Sequence, residues 1–382
     1  MDNKLYRPTH LFLGTIALLL AMGVSSCGLL SPQSKEADSY GHEPAKKQTL
    51  LVGTYTQNRS EGLYSFSFDP RTLNVKHRST LITPNPTSLA LDRERGIIYA
   101  ANEQSTEAMV SSLQLDGVSG RLTAINSSFT LGGSPRSVAT DGRGKVVSAN
   151  YDAGSITLFF ADEAGLLGQP DWHILLGQEG ESHPSDLCFS PNGKELFVVD
   201  AGQDKVYHFN VSSKNPPLTI DVETTDLPKG SRPKSIAMDS SGKFLYLLTE
   251  QNPEVILYKH HRGKLTEVER LSLSGDPQSR GGQLCLSPDG RYLYVSEWGR
   301  ESRVTIFKVN KLMGQLTKTG TQSVGQQPMD LAFNPSGRWL AVACKKANKV
   351  EFYNCDRESG LLRAQKDLSI TIDQPACLLW TE

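Results

Sequence analysis

Arg136, Ser185 and Lys234 follow one another at 49-residue intervals, each directly after a proline. Gly282 and Met329 continue the series at steps of 48 and 47. A second series comprises Asn102, Glu103, Asn150, Tyr151, Asp200, Glu250 and Trp298, found where the next apolar run of each unit ends. Cations, carboxylates, amides and aromatic rings brought to one place suit a small polar or anionic ligand. Arg136, Asn150, Ser185, Lys234 and Trp298 are therefore the candidate ligand-binding residues, Trp298 by stacking on a sugar ring or by plugging a channel. The chain has no nucleophile-elbow motif and no Gly loop that would cradle phosphates. Its cysteines lack zinc-ligand spacing, and His260-His261 beside Lys259 and Arg262 reads as a solvated turn. No metal and no cofactor is expected.

The interval that carries these residues belongs to a repeat. Blocks open at Pro86, Pro135, Pro184, Pro233, Gly281, Pro328 and Pro375, 47 to 49 residues apart. Each holds an apolar run, a Gly-bearing turn such as Pro-Asp-Gly or Pro-Ser-Gly, a second run, a third such as "SITLFF" or "RVTIFKV", and a weaker fourth. Helical period is absent, and four strands in roughly 48 residues describe one propeller blade. Residues 48–382 hold seven such units. The fold expected is an all-β, seven-bladed β-propeller with four antiparallel strands per blade. "PACLLW" at the C-terminus supplies one strand of the last blade, and "LLVGTYT", "GLYSFSFD" and "VKHRSTL" supply the other three. Pairing the chain ends would close the ring and remove free sheet edges. The start of an innermost strand and the end of its antiparallel neighbour lie side by side, so both residue series face one mouth of the central channel.

The N-terminus carries a separate signal. Lys4 and Arg7 precede the apolar run Leu11 to Met22, and small residues lead to Cys27. This order describes a secretory signal, and the segment ending in Cys27 resembles the lipobox of bacterial lipoproteins. Residues 1–26 are read as a lipoprotein signal peptide and 27–47 as a lipidated Cys27 with a polar tether. The competing reading is a signal anchor over Leu11 to Leu30, just long enough to span a bilayer. Either places the body at the cell envelope, tied to a membrane and facing the periplasm or exterior. With a formal net charge of -1 and no sustained basic run, nucleic acid is excluded as an expected partner. A monomer is expected.

"VGTYTQNRSEGLYSFSFDPRT", "NYDAGSITLF", "FSPNGKELFVVDAGQDKVYHF" and "SPDGRYLYVS" resemble the lactonase, or 6-phosphogluconolactonase-like, seven-bladed propeller family over residues 50 to 380. The resemblance implies hydrolysis or formation of a sugar or cyclic-acid lactone, at a site combining a His, two Arg and a Glu. Carried over by position, the Glu is Glu250, whereas Ser185, Lys234 and Trp298 occupy the places of the His and the two Arg. His183, Arg232 and Arg300 each stand two positions away on the loop side. Two residues along a strand preserve facing and move a group by about 6.5–7 Å. Glu250, His183, Arg232 and Arg300 are therefore the candidate catalytic residues. The function expected is a membrane-tethered, extracytoplasmic lactonase-like propeller that binds or hydrolyses a small lactone or sugar acid. The alternative is a non-catalytic propeller that binds a protein or ligand at the envelope.

Overall fold

The computed structural model describes residues 47–178, 180–214, 216–220 and 224–381. The signal peptide, Cys27 and nearly all of the tether lie outside the described residues. The described part contains no helix, and hence none long and apolar enough to cross a membrane.

Seven sheets follow one another along the chain, and the expected propeller is present. The innermost strands of blades 1 to 7 are Pro86–Asp92, Pro135–Thr140, Pro184–Phe189, Pro233–Met238, Arg280–Leu286, Pro328–Phe333 and Pro375–Thr381. Every strand pairs with its neighbour antiparallel. Blade 7 is the shared one: Pro375–Thr381 pairs with Gln48–Thr54, which continues to Gly62–Asp69 and Asn74–Ile82. Blade 3 carries a fifth short segment, Thr225–Asp226, against its third strand.

The second strands are apolar on both faces because both faces pack on neighbouring blades. Tyr246, Leu247 and Leu248 of blade 4 are fully buried in succession. The alternation then sends Leu247 to a cluster shared with blade 3, and Tyr246 and Leu248 to one shared with blade 5. Seven such clusters fill the seven interfaces, so burial is continuous around the ring. The cluster between blades 6 and 7 is the most aromatic, with Phe68 5.3 Å from Trp339 and 5.4 Å from Trp380.

Proline opens the innermost strands because it begins a strand without needing to donate there. A bulge follows at once: Pro135 pairs with Asn150, but Ser137 already pairs with Ala149. The twist turns the next residues across the channel, where their side chains cap the neighbouring blade. Val138 N–H donates to Ser88 (3.1 Å), Ile236 N–H to Asp186 (3.1 Å) and Leu378 N–H to Asp330 (2.7 Å). Blade 5 has Gly281 where the others have Pro. Its amide donates to Glu250 O (2.9 Å), which proline cannot do. An added Cβ would sit 2.2 Å from Thr249 O, so even alanine is excluded.

Candidate active site

Strand alternation decides which residues reach the mouth. In the second strands Asn102, Asn150 and Asp200 are fully buried and turn into their own blades. Asn150 Nδ2 donates to Ser155 Oγ (3.1 Å) and Thr157 Oγ1 (2.9 Å), bracing the turn of blade 2. The next residue in each blade turns the other way and gives Tyr55, Glu103, Tyr151, Ala201, Glu250, Trp298 and Lys345. Opposite them, Arg136, Ser185, Lys234 and Met329 line a cavity of about 470 Å³ together with Tyr55, Glu103 and Lys345.

These groups form one continuous arc over blades 6, 7, 1, 2, 3 and 4. Lys345 Nζ lies 3.6 Å from the centroid of the Tyr55 ring. Tyr55 Oη donates to Glu103 Oε2 (2.9 Å), and Arg136 Nε donates to Glu103 Oε1 (3.1 Å). The Arg136 guanidinium stacks 3.5 Å from the centroid of the Tyr151 ring, a geometry that an ammonium would not fill equally. His183 also stacks on Tyr151, at 4.7 Å between centroids. Its Nδ1 lies 3.0 Å from Tyr151 O, which can only accept, so Nδ1 donates this bond. Arg232 Nη2 donates to Tyr151 Oη (3.2 Å), and its Nε donates to Glu250 Oε2 (3.1 Å). The Arg232 backbone is held at φ 49°, with its N–H on Asp204 and its C=O accepting from Glu250 N. This left-handed conformation costs free energy and turns the side chain inward over the mouth.

The electrostatics follow from enclosure. Burial works against the Arg136 charge, but Glu103 first and then the two tyrosines more than offset it, and its pKa rises. Burial pushes the Tyr55 phenol far up, and the Glu103 charge adds to this. Burial lowers the Lys234 pKa; Glu250 opposes the shift and Arg136 reinforces it. Lys345 is lowered for the same first reason. Both mouth carboxylates are held by a guanidinium, and among the described residues neither lysine has an ion-pair partner. Four cations thus face two carboxylates.

Asp186 and Asp330 also line the cavity. Asp186 accepts from Ser137 Oγ (2.7 Å) and Leu187 N–H (2.9 Å) as well as Ile236 N–H, yet burial keeps its pKa raised. Asp330 accepts from Leu331 and Leu378 N–H, and burial, with Asp186 adding, raises it to about 7.

The expected site residues divide accordingly. Glu250, Arg232 and His183 come together through Tyr151, outside the cavity lining, whereas Arg136 and Lys234 line the cavity. Ser185 also lines it, but its hydroxyl donates to Pro233 O (2.8 Å) in the next blade. Asn150 is internal to its blade. Trp298 stands half-buried outside the cavity lining, with Lys346 Nζ 5.8 Å from its ring. Arg300 is exposed and donates to Gln278 (3.2 Å), apart from the arc. Tyr55, Lys345, Asp186 and Asp330 are additions made by the structure. Among the described residues no His, Cys, Asp and Glu group forms a metal site.

The sequence profile of the family described as lactonase, seven-bladed β-propeller, matches residues 49–380. The chain belongs to that family. The 6-phosphogluconolactonase of Bacillus subtilis is 28% identical over 86% of this chain and 96% of its own. A Bacteroides fragilis structure described provisionally as a 6-phosphogluconolactonase is 33% identical, superposes with a TM-score of 0.83, and is matched over 88% of this chain and 98% of that one. The periplasmic gluconolactonase of Pseudomonas aeruginosa is 27% identical with a TM-score of 0.82, over 88% of this chain and 99% of that one.

Proposed function

We propose that this lactonase-like propeller hydrolyses a small sugar lactone at the mouth of its channel, outside the cytoplasm and tethered to a membrane through Cys27. The observation that carries the reading is the cavity of about 470 Å³ lined by Arg136, Lys234, Lys345 and Glu103, with the Arg232–Glu250 ion pair joined to Arg136 through Tyr151. A sugar lactone is small, rich in hydroxyl groups and electron-deficient at a single carbonyl. In its hydrolysis a water oxygen attacks that carbon and the carbonyl electrons move onto oxygen. The ring C–O bond then breaks, and the released alkoxide takes a proton. Glu250 offers Oε1 as base for the water proton while Arg232 fixes Oε2. Lys234 and Arg136 face the developing oxyanion, where preorganised positive charge stabilises the transition state.

A panel of phosphorylated and unphosphorylated sugar lactones, followed by acid release from the purified full chain, tests this reading. Turnover should fall about 100-fold or more in Glu250→Gln and in Lys234→Met, by loss of the base and of the oxyanion partner. Absence of turnover on every lactone would reject it. One observation favours the second reading, a scaffold: Ile82, Phe129, Leu131 and Leu175 stand exposed on the mouth-side rim of blades 7, 1 and 2. A saturable protein partner on that rim, with no lactone turnover, would establish it.

A further inference from the structure

The tether joins the propeller on the face opposite the mouth. Gln48–Thr54 runs towards the mouth, since Thr54 pairs with Pro375 where the innermost strand begins. Its other end lies beside Thr381, so Gln48 and Thr381 both lie at the far face. The turns between third and fourth strands also lie on that face. In four blades such a turn carries an exposed large apolar residue: Val118 in blade 1 (92% exposed), Leu166 in blade 2, Leu312 (89% exposed) and Met313 in blade 5, and Leu361 in blade 6. These blades and blade 7, where the tether enters, are five consecutive members of the ring, with the entry blade in the middle. Among the described residues, the corresponding turns of blades 3, 4 and 7 carry none, Leu73 of blade 7 packing against the core instead.

Chance exposure has no reason to follow the entry point, but a surface held against a bilayer does. A polar segment of the length that separates Cys27 from Gln48 spans about 25 Å as a coil. That reach keeps the far face close to the plane in which an acylated Cys27 would sit. Apolar residues at turn tips gain free energy by entering the headgroup boundary, and the local tether makes their insertion intramolecular. We propose that the far face of the propeller docks on a phospholipid bilayer through the tips of blades 5, 6, 1 and 2, with the mouth directed away from the membrane. The proposal rests on the lipid-anchor reading of Cys27. The exposed apolar residues of the mouth rim lie at the opposite end of the blades and remain free in this orientation.

The test uses the full chain produced in a bacterial envelope and reconstituted in phosphatidylcholine–phosphatidylglycerol vesicles that contain brominated lipid. An environment-sensitive fluorophore is attached at Val118→Cys, Leu312→Cys or Ile82→Cys in separate proteins. Burial raises the thiol pKa values of all five body cysteines, which favours labelling at the introduced one. Intact-mass measurement reports acylation of Cys27 independently. The expected result is bromolipid quenching at Val118→Cys and Leu312→Cys at least threefold stronger than at Ile82→Cys. Quenching that is equal at the three sites, strongest at Ile82→Cys or absent throughout, in an acylated protein, overturns the docking and leaves the anchor standing. A mass without an acyl group overturns the anchor and the docking together.

Discussion

Asp330→Asn should change how the stability of the propeller depends on pH. Asp330 is enclosed in the channel, and burial raises its carboxyl from 3.8 to about 7. A carboxyl raised in the folded state contributes stability that is fully present below the unfolded value of 3.8 and lost as pH climbs to about 7. At about 1.4 kcal/mol per pH unit, the loss amounts to about 4 kcal/mol by pH 8. Asparagine cannot ionise and escapes this loss. It carries a constant cost, because Leu331 N–H bonds to one carboxyl oxygen (2.8 Å) and Leu378 N–H to the other (2.7 Å). The amide keeps one of these and forfeits the other, at about 1–2 kcal/mol. The variant should therefore be less stable than the parent at pH 4, equal near pH 5, and more stable by about 2–3 kcal/mol at pH 8. Urea unfolding at several pH values measures the difference directly. The lowered carboxylates elsewhere, among them Asp116, Asp289 and Asp356, act in the opposite sense but equally in both proteins, so they cancel. A difference in stability that stays constant from pH 4 to 8 would refute the reasoning.

Two further outcomes follow from the same geometry. Arg232→Ala should lower kcat/KM for a turned-over lactone at least 10-fold by releasing Glu250 and Tyr151, whereas Arg300→Ala should stay within twofold because Arg300 is exposed and bonded to Gln278; equal effects would reject the assignment of roles. Deleting residues 375–382 should leave the Gln48–Thr54 edge without its partner and lower the melting temperature by more than 10 °C, and an unchanged melting transition would contradict closure through blade 7.

The architecture was legible because it rests on a period. An interval of 47 to 49 residues, alternation within each run and Gly-bearing turns are all local features, and together they dictate blades, ring and closure. The site was legible only to the extent that it shares that period. Arg136 and Lys234 occupy the position after the opening proline, so alignment of the units alone places them in the channel. Lys345 and Tyr55 occupy the register of Glu103 and Glu250, and extending the alignment through blades 6 and 7 would have found them. Asn150 illustrates the opposite case. It stands next to a mouth residue in sequence, but one step along a strand reverses its direction. Asp186 and Asp330 follow a bulge, where simple counting of inward and outward residues fails. The separation of Arg300 from the arc depends on how its turn leaves the blade, and no periodic signal reports that.

Closure through blade 7 also governs when the molecule can finish forming. Thr49 and Thr381 pair although over 300 residues separate them. During vectorial synthesis the strand Gln48–Thr54 appears early, and its inner edge has nothing to pair with until the seven-residue strand Pro375–Thr381 emerges. Throughout that interval the nascent chain presents an open edge with unsatisfied N–H and C=O groups, the feature that invites pairing with other chains. Pro375–Thr381 thus converts an adhesive intermediate into an inert ring, and a product that stops before this strand stays in the adhesive form.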